Sequence, residues 1–237
     1  MNCNTPTDVT FSFTGFAQRG GRTDHHVDGW GIAFFEGAGL RHFVDHQPAS
    51  ESPVAELIRR YPIKSRNVIA HIRKATQGAV ALQNCHPFVR ELWGRYWVFA
   101  HNGNLENFHP RLHASFRPVG ATDSERAFCW LMQELAKSHA GVPSVPELTL
   151  TLRELTPQIA RHGPFNFMLS SLNGRIRSFQ DSPCNDALFS RPRALPSPRS
   201  PSLASWRRSG PTRRCGSSSA FPRAAAPMRS PASSLPS

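Results

Sequence analysis

Four short segments hold most of the side chains able to do chemistry: DGWGIAFF (28–35), HIRKAT (71–76), NCHPF with FAHNGNL (84–88 and 99–105), and GATDSE (120–125). Between them they offer a guanidinium (Arg73), three carboxylates (Asp28, Asp123 and Glu125), an Asn-Gly pair (Asn102, Gly103) and three imidazoles (His71, His86, His101). These are groups that hold charged or polar partners or move protons. Taken singly, each also has an ordinary reading: Arg73 is a surface arginine at a strand end, and Asp123 an acid suited to the dipole of a first helical turn. Asn-Gly most often marks a turn between strands, and a histidine beside a strand is usually packed core. The five cysteines, at 3, 85, 129, 184 and 215, have neither paired metal-ligand spacing nor the even count of a disulfide framework. No metal is expected, and the thiols read as reduced and the protein as cytoplasmic.

Up to about Gly174, short apolar runs separated by Gly, Pro and Asn turns predict a compact mixed α and β domain. Residues 29–35 (GWGIAFF), 67–72 (NVIAHI), 96–101 (YWVFAH) and 165–170 (FNFMLS) read as buried strands. Helices are announced by their caps. Ser52 and Pro53 fit an N-cap and first helical position ahead of Val54, Leu57 and Ile58. Thr122 with Glu125 makes a capping box, after which Ala127, Phe128, Leu131 and Leu135 recur at helical spacing. Leu148, Leu152, Leu155 and Ile159 line one face of a third helix, in which Pro157 predicts a kink or an early end.

Beyond Gly174 both periods disappear. Residues 175–237 include 15 Ser, 11 Arg, 10 Pro and 8 Ala and carry a net +9 of the chain's +12. The strong basic charge therefore belongs to this stretch and does not make the chain a nucleic-acid binder. A segment so poor in apolar residues cannot offset its ordering entropy. It reads either as a disordered tail or as the product of a shifted reading frame in GC-rich DNA, because the apolar pattern stops mid-domain, just after a strand-like run. The N-terminus lacks a basic region followed by an apolar one, and no run of about 18 apolar residues occurs, so neither secretion nor a membrane partner is expected. Nucleic-acid binding through the tail arginines is disfavoured by the few interleaved aromatics.

The four segments, in this order and spacing, resemble the class II glutamine amidotransferases, and FTGFAQRGG with ELWGRYWVFAHNG is similar to the small, stand-alone bacterial subgroup. The resemblance spans residues 1–174. It implies an α+β fold, the four-layer αββα N-terminal nucleophile sandwich, here expected to be incomplete at both ends. By the same resemblance Arg73 grips the α-carboxylate of glutamine with a bidentate fork, and Thr76 adds a hydroxyl. Asp123 pairs with the α-ammonium, while Asn102 and Gly103 form the oxyanion hole. Asp28, Gly29, Trp30, Gly31 and the three histidines are assigned to shaping the pocket or to packing. No cofactor is implied. The expected ligand is glutamine or a γ-glutamyl compound, and ammonia would pass to water or to a separate partner protein.

The family's nucleophile is a cysteine that directly follows the initiator methionine, so one residue supplies both the thiol and, as general base, a free α-amine. Here Asn2 follows Met1, and Cys3 sits behind an amide nitrogen. The subgroup begins with a strand of the kind Met-Cys-x-Leu-Leu-Gly ahead of the stretch that MNCNTPTD resembles, so Met1 reads as an internal methionine. The sequence as it stands is thus expected to be inactive, and the alternative function is a binding module for a glutamine-like ligand or a partner.

Overall fold

The computed structural model describes residues 1–113 and 115–171, and the backbone alone of 177–179. The chain divides into two units, Met1–Leu188 and Phe189–Ser237, and everything described lies in the first. The low-complexity stretch, 177–179 apart, lies outside the described residues.

Two four-stranded antiparallel sheets carry the architecture. In the first, β1 (Asn2–Asp8), β4 (Lys64–Ile72), β2 (Trp30–Glu36) and β3 (Gly39–Asp45) lie side by side in that order. In the second the order follows the chain: β5 (Phe88–Leu92), β6 (Arg95–Gly103), β7 (Phe165–Ser171) and β8 (Arg177–Phe179). The period-2 alternation of strands sorts their side chains between two cores. Ile32 and Phe34 of β2 point to a core shared with α1 (Thr10–Arg19) and α2 (Pro53–Arg60), in which Phe13, Ala17, Ala55 and Ile58 are buried. Their neighbour Ala33 points the other way, joining Ile69 of β4 against Val98 and Ala100 of β6. Trp97, Phe99, Phe167 and Leu169 face a second helical layer, α3 (Asp123–Ser138) and α4 (Val145–Ala160). There Phe99 stacks on Phe128 with ring centroids 4.9 Å apart. The result is the four-layer αββα sandwich that the sequence led us to expect.

The caps explain where the helices start, with three departures from expectation. Ser52 does cap α2, accepting from the Ala55 N–H with Pro53 behind it, but Leu57 is 61% exposed and does not belong to the apolar face. Thr122 accepts the Glu125 N–H, yet the Glu125 carboxylate turns away to the N–H groups of Val119 and Gly120 and to Arg90. Only half of that capping box forms. The full box belongs to α4, where Ser144 and Glu147 cap each other, and α4 runs three residues past Pro157 to Ala160. Pro157 has no N–H to give the carbonyl four residues back, and the helix continues for only three residues beyond it.

Candidate active site

Arg73, Thr76, Asn102, Gly103 and Asp123 all line one cavity of about 590 Å³. Three elements bring them together. β4 ends at Ile72, so Arg73 and the loop after it emerge at the rim of the first sheet. β6 ends at Gly103 in the second sheet, and α3 opens beside it with Asp123 as its first residue. Between the sheets, Ala33 of β2 and Ile69 of β4 pack against Val98 and Ala100 of β6, which fixes the ends of β4 and β6 on opposite sides of the cavity.

Arg73 is 3% exposed. Its Nη1 donates to the carbonyls of Asp28 and Ala79 (3.4 and 3.1 Å), and its Nη2 to those of Gln77 and Gly78 (2.8 and 2.9 Å). Both terminal nitrogens are thus engaged by neutral acceptors, and among the described residues no carboxylate pairs with this cation. The expected bidentate fork is not free in this state. Asp28 helps to set the loop, its Oδ2 accepting the Ala75 N–H at 2.7 Å. Gln77 ties the same loop to the turn after β6, donating to Asn104 Oδ1 and to the Leu105 carbonyl, both at 2.8 Å.

Asp123 is 3% exposed, and its Oδ2 accepts the Leu105 N–H at 2.8 Å. Its Oδ1 lies 3.5 Å from Ser124 Oγ, which in turn is 2.8 Å from His101 Nδ1. Among the described residues Asp123 likewise has no ion-pair partner. Asn102 and Gly103 are not a turn: they are the last two residues of β6, paired with Asn166 and Phe165 of β7. The Asn102 side chain is exposed to the cavity. Gly103 is obligatory for close approach, since a Cβ there would lie 1.8 Å from the Pro164 carbonyl oxygen. Thr76 is exposed on the rim.

The three histidines form the cavity's inner wall. His71 and His86 face each other with ring centroids 4.3 Å apart. Burial, with Arg73 and the neighbouring imidazoles adding to it, pushes His71 down to about 4 and His86 well below its ordinary range. Burial also lowers His101, against the hydrogen bond to the Pro164 carbonyl and the pull of Asp123. All three are therefore neutral at pH 7. The described cysteines offer no activated thiol in the wall: burial raises Cys85 to about 11, and raises Cys129 too, although Arg90 opposes it. Sequence reasoning missed Gln77, Asn84 and Ser124, whose side chains hold the site together across long sequence separations.

The family model for class II glutamine amidotransferases matches residues 1–186. Two proteins bearing the name "Putative glutamine amidotransferase" are similar over 171 residues: one of Haemophilus influenzae, 56% identical, and YafJ of Escherichia coli, 51% identical. The match takes in 72% of this chain in both cases, but 58% and 67% of those relatives. The chain thus spans under two thirds of the first relative's length. The crystal structure of a predicted glutamine amidotransferase from Pseudomonas aeruginosa is similar with a TM-score of 0.54 and 39% identity, covering 71% of this chain and 66% of that one.

Proposed function

The chain belongs to the class II glutamine amidotransferases, and we propose that its cavity takes glutamine, or a γ-glutamyl amide, by both charges of the α-amino acid group. The observation that carries this is a pair of unanswered charges. Among the described residues Arg73 is buried with no carboxylate paired to it and Asp123 is buried with no cation paired to it, its neighbour His101 being neutral, and the two line one cavity. Removing an ion from water costs several kcal/mol unless an opposite charge answers it. A zwitterion with its carboxylate toward Arg73 and its ammonium toward Asp123 answers both at once. Asn102 Nδ2 and the Gly103 N–H, at the end of β6, then form the oxyanion hole for the side-chain amide, and Thr76 adds a contact at the rim.

The nucleophile in this reading is a cysteine that precedes Met1. Met1 and Val68 exchange both backbone hydrogen bonds, at 2.7 and 3.0 Å, and Asn2 opposes Asn67 in the antiparallel ladder. Continued upstream, that register sets the fifth preceding residue opposite Arg73. The cysteine of Met-Cys-x-Leu-Leu-Gly, with its methionine removed, occupies that fifth position. Its α-amine takes the thiol proton, and the thiolate attacks the amide carbon. The α-ammonium returns that proton to the departing nitrogen as the oxyanion collapses, releasing ammonia and leaving a thioester, which water hydrolyses. The ammonia passes to water or to a partner protein. We further infer that the protein is cytoplasmic, with its thiols reduced; among the described residues no helix is long and apolar enough to cross a membrane.

In this reading residues 1–237 supply the ligand-gripping groups, and turnover depends on the cysteine that precedes Met1. Ammonia release from glutamine, measured on this chain and on one carrying the five-residue extension, tests both halves. Activity confined to the extended chain is expected. Turnover by residues 1–237 alone would remove the assigned nucleophile, and no glutamine binding by either chain would remove the reading altogether.

A further inference from the structure

The NCHPF segment contains a residue that the chemistry above leaves without a task. Asn84 ends a short 3-10 turn (Leu82–Asn84) and is 2% exposed, a polar amide enclosed between two loops. One loop, 77–79, holds Arg73; the other, 120–121, leads into Asp123. Asn84 Nδ2 donates to the Ala79 carbonyl at 2.9 Å, the same oxygen that takes Arg73 Nη1 at 3.1 Å. Asn84 Oδ1 accepts the Ala121 N–H at 2.9 Å, two residues before Asp123. The fit is close on both sides: a Cβ on Gly120 would lie 2.2 Å from Oδ1, and one on Gly78 3.1 Å from Nδ2. The network also fixes the amide's orientation. Reversed, it would set NH2 against N–H and oxygen against oxygen.

We propose that Asn84 is a positioning residue for ligand specificity, holding the Arg73 and Asp123 loops at the separation that one α-amino acid spans. The inference rests on the zwitterion reading above. A carboxamide carries a donor and an acceptor on one rigid planar group, so it ties a carbonyl in one loop to an N–H in the other at a fixed spacing. Glu125 anchors the second loop independently, through Val119 and Gly120, so loss of Asn84 frees the spacing between the loops without unmooring α3. A ligand with one charged end can follow whichever group has moved; a ligand with two cannot.

The test is calorimetric titration of the chain, and of its Asn84→Ala and Asn84→Asp variants, with three probes. These are glutamine, 4-carbamoylbutanoate, which lacks the ammonium, and 4-aminobutanamide, which lacks the carboxylate. In Asn84→Ala the Kd for glutamine is expected to rise roughly tenfold or more, the scale of one or two lost buried hydrogen bonds. The one-ended probes should change by no more than about a third of that, so the preference for glutamine collapses. The isosteric Asn84→Asp keeps the Ala121 contact but turns oxygen against the Ala79 carbonyl; it is expected to lose the same preference and stands in if the alanine variant does not fold. Equal weakening of all three probes, alongside a lowered melting temperature, would mean a merely structural brace and would overturn the proposal. An unchanged preference in both variants would do so too. Failure of the unsubstituted chain to bind glutamine would remove the functional reading and this inference with it.

Discussion

Stability of the domain is expected to fall steeply with pH below 6.5, and His71 supplies a measurable share of the fall. In an unfolded chain a histidine titrates near 6.5; in the folded protein burial holds His71 down to about 4. Between those values the unfolded chain binds the extra proton and the folded chain does not, so acidification favours unfolding. The stabilisation is complete above the unfolded value and is lost as pH drops toward 4. Taking the two values at face value, the loss between pH 7 and pH 5 is ~2 kcal/mol from this one ring. His71 keeps some solvent exposure at the cavity wall, which makes that an upper figure. His86, packed against it and also lowered by burial, adds in the same direction. Urea unfolding at pH 7 and pH 5, for the parent chain and for His71→Phe, isolates the contribution, since phenylalanine fills similar space without a titrating nitrogen. With a slope of roughly 2 kcal/mol per molar urea, the midpoint should drop about 1 M further in the parent than in the variant. Equal drops in the two chains would show that the ring is not held neutral by burial, and would refute the reasoning.

Other perturbations probe the same framework. Gly103→Ala should cost about 3 kcal/mol or more of stability, because the Pro164 carbonyl occupies the space of its Cβ; an unchanged melting temperature would contradict the packing of β6 against β7. Glu125→Ala strands a half-buried Arg90 and frees two N–H groups, for an expected loss of about 3 kcal/mol by denaturant titration. Arg73→Met should abolish measurable glutamine binding while leaving the chain folded, as followed by calorimetry and circular dichroism. In native protein Cys3, which is partly exposed, should react with iodoacetamide well before Cys85 and Cys129, which burial protects; mass spectrometry of tryptic peptides reads the order directly.

What the sequence revealed depended on how local each signal was. Thr122 as an N-cap was legible because its partner N–H is three residues away, whereas the fate of the Glu125 carboxylate was not. Its competitors are Arg90, on another strand, and two loop N–H groups that only the fold brings near. Asn102-Gly103 looked like a turn because that dipeptide suits positive φ. Here it ends a strand, and glycine is needed for the close Pro164 carbonyl instead. The helix α1 escaped notice since Gly15 interrupts it and Phe11, 92% exposed and two residues from buried Phe13, falls outside the one-faced apolar pattern of a helix. Strand β1 escaped because its pairing with β4 joins residues about sixty positions apart. Asn84 was inside a recognised segment and still illegible as a link, because its two partners, Ala79 and Ala121, are drawn from different loops.

Arg73 and Asp123 were legible by type, but what suits them to the proposed pairing is visible only in their surroundings. Four carbonyl oxygens solvate the guanidinium without neutralising it, and a single N–H does the same for one oxygen of Asp123. Dipoles of this kind lower the cost of burying a charge but leave its field intact in the cavity. The cavity therefore carries a positive pole at the end of β4 and a negative pole at the start of α3. A ligand bearing only a carboxylate answers the first and is repelled by the second, and an amine meets the reverse. An entering carboxylate also competes with the Gln77 and Gly78 carbonyls for Nη2. Because it is charged, its bonds are roughly twice as strong as theirs. The displaced carbonyls belong to a partly exposed loop where water can take them up, so the exchange runs in the ligand's favour only when the ammonium is held at the same time.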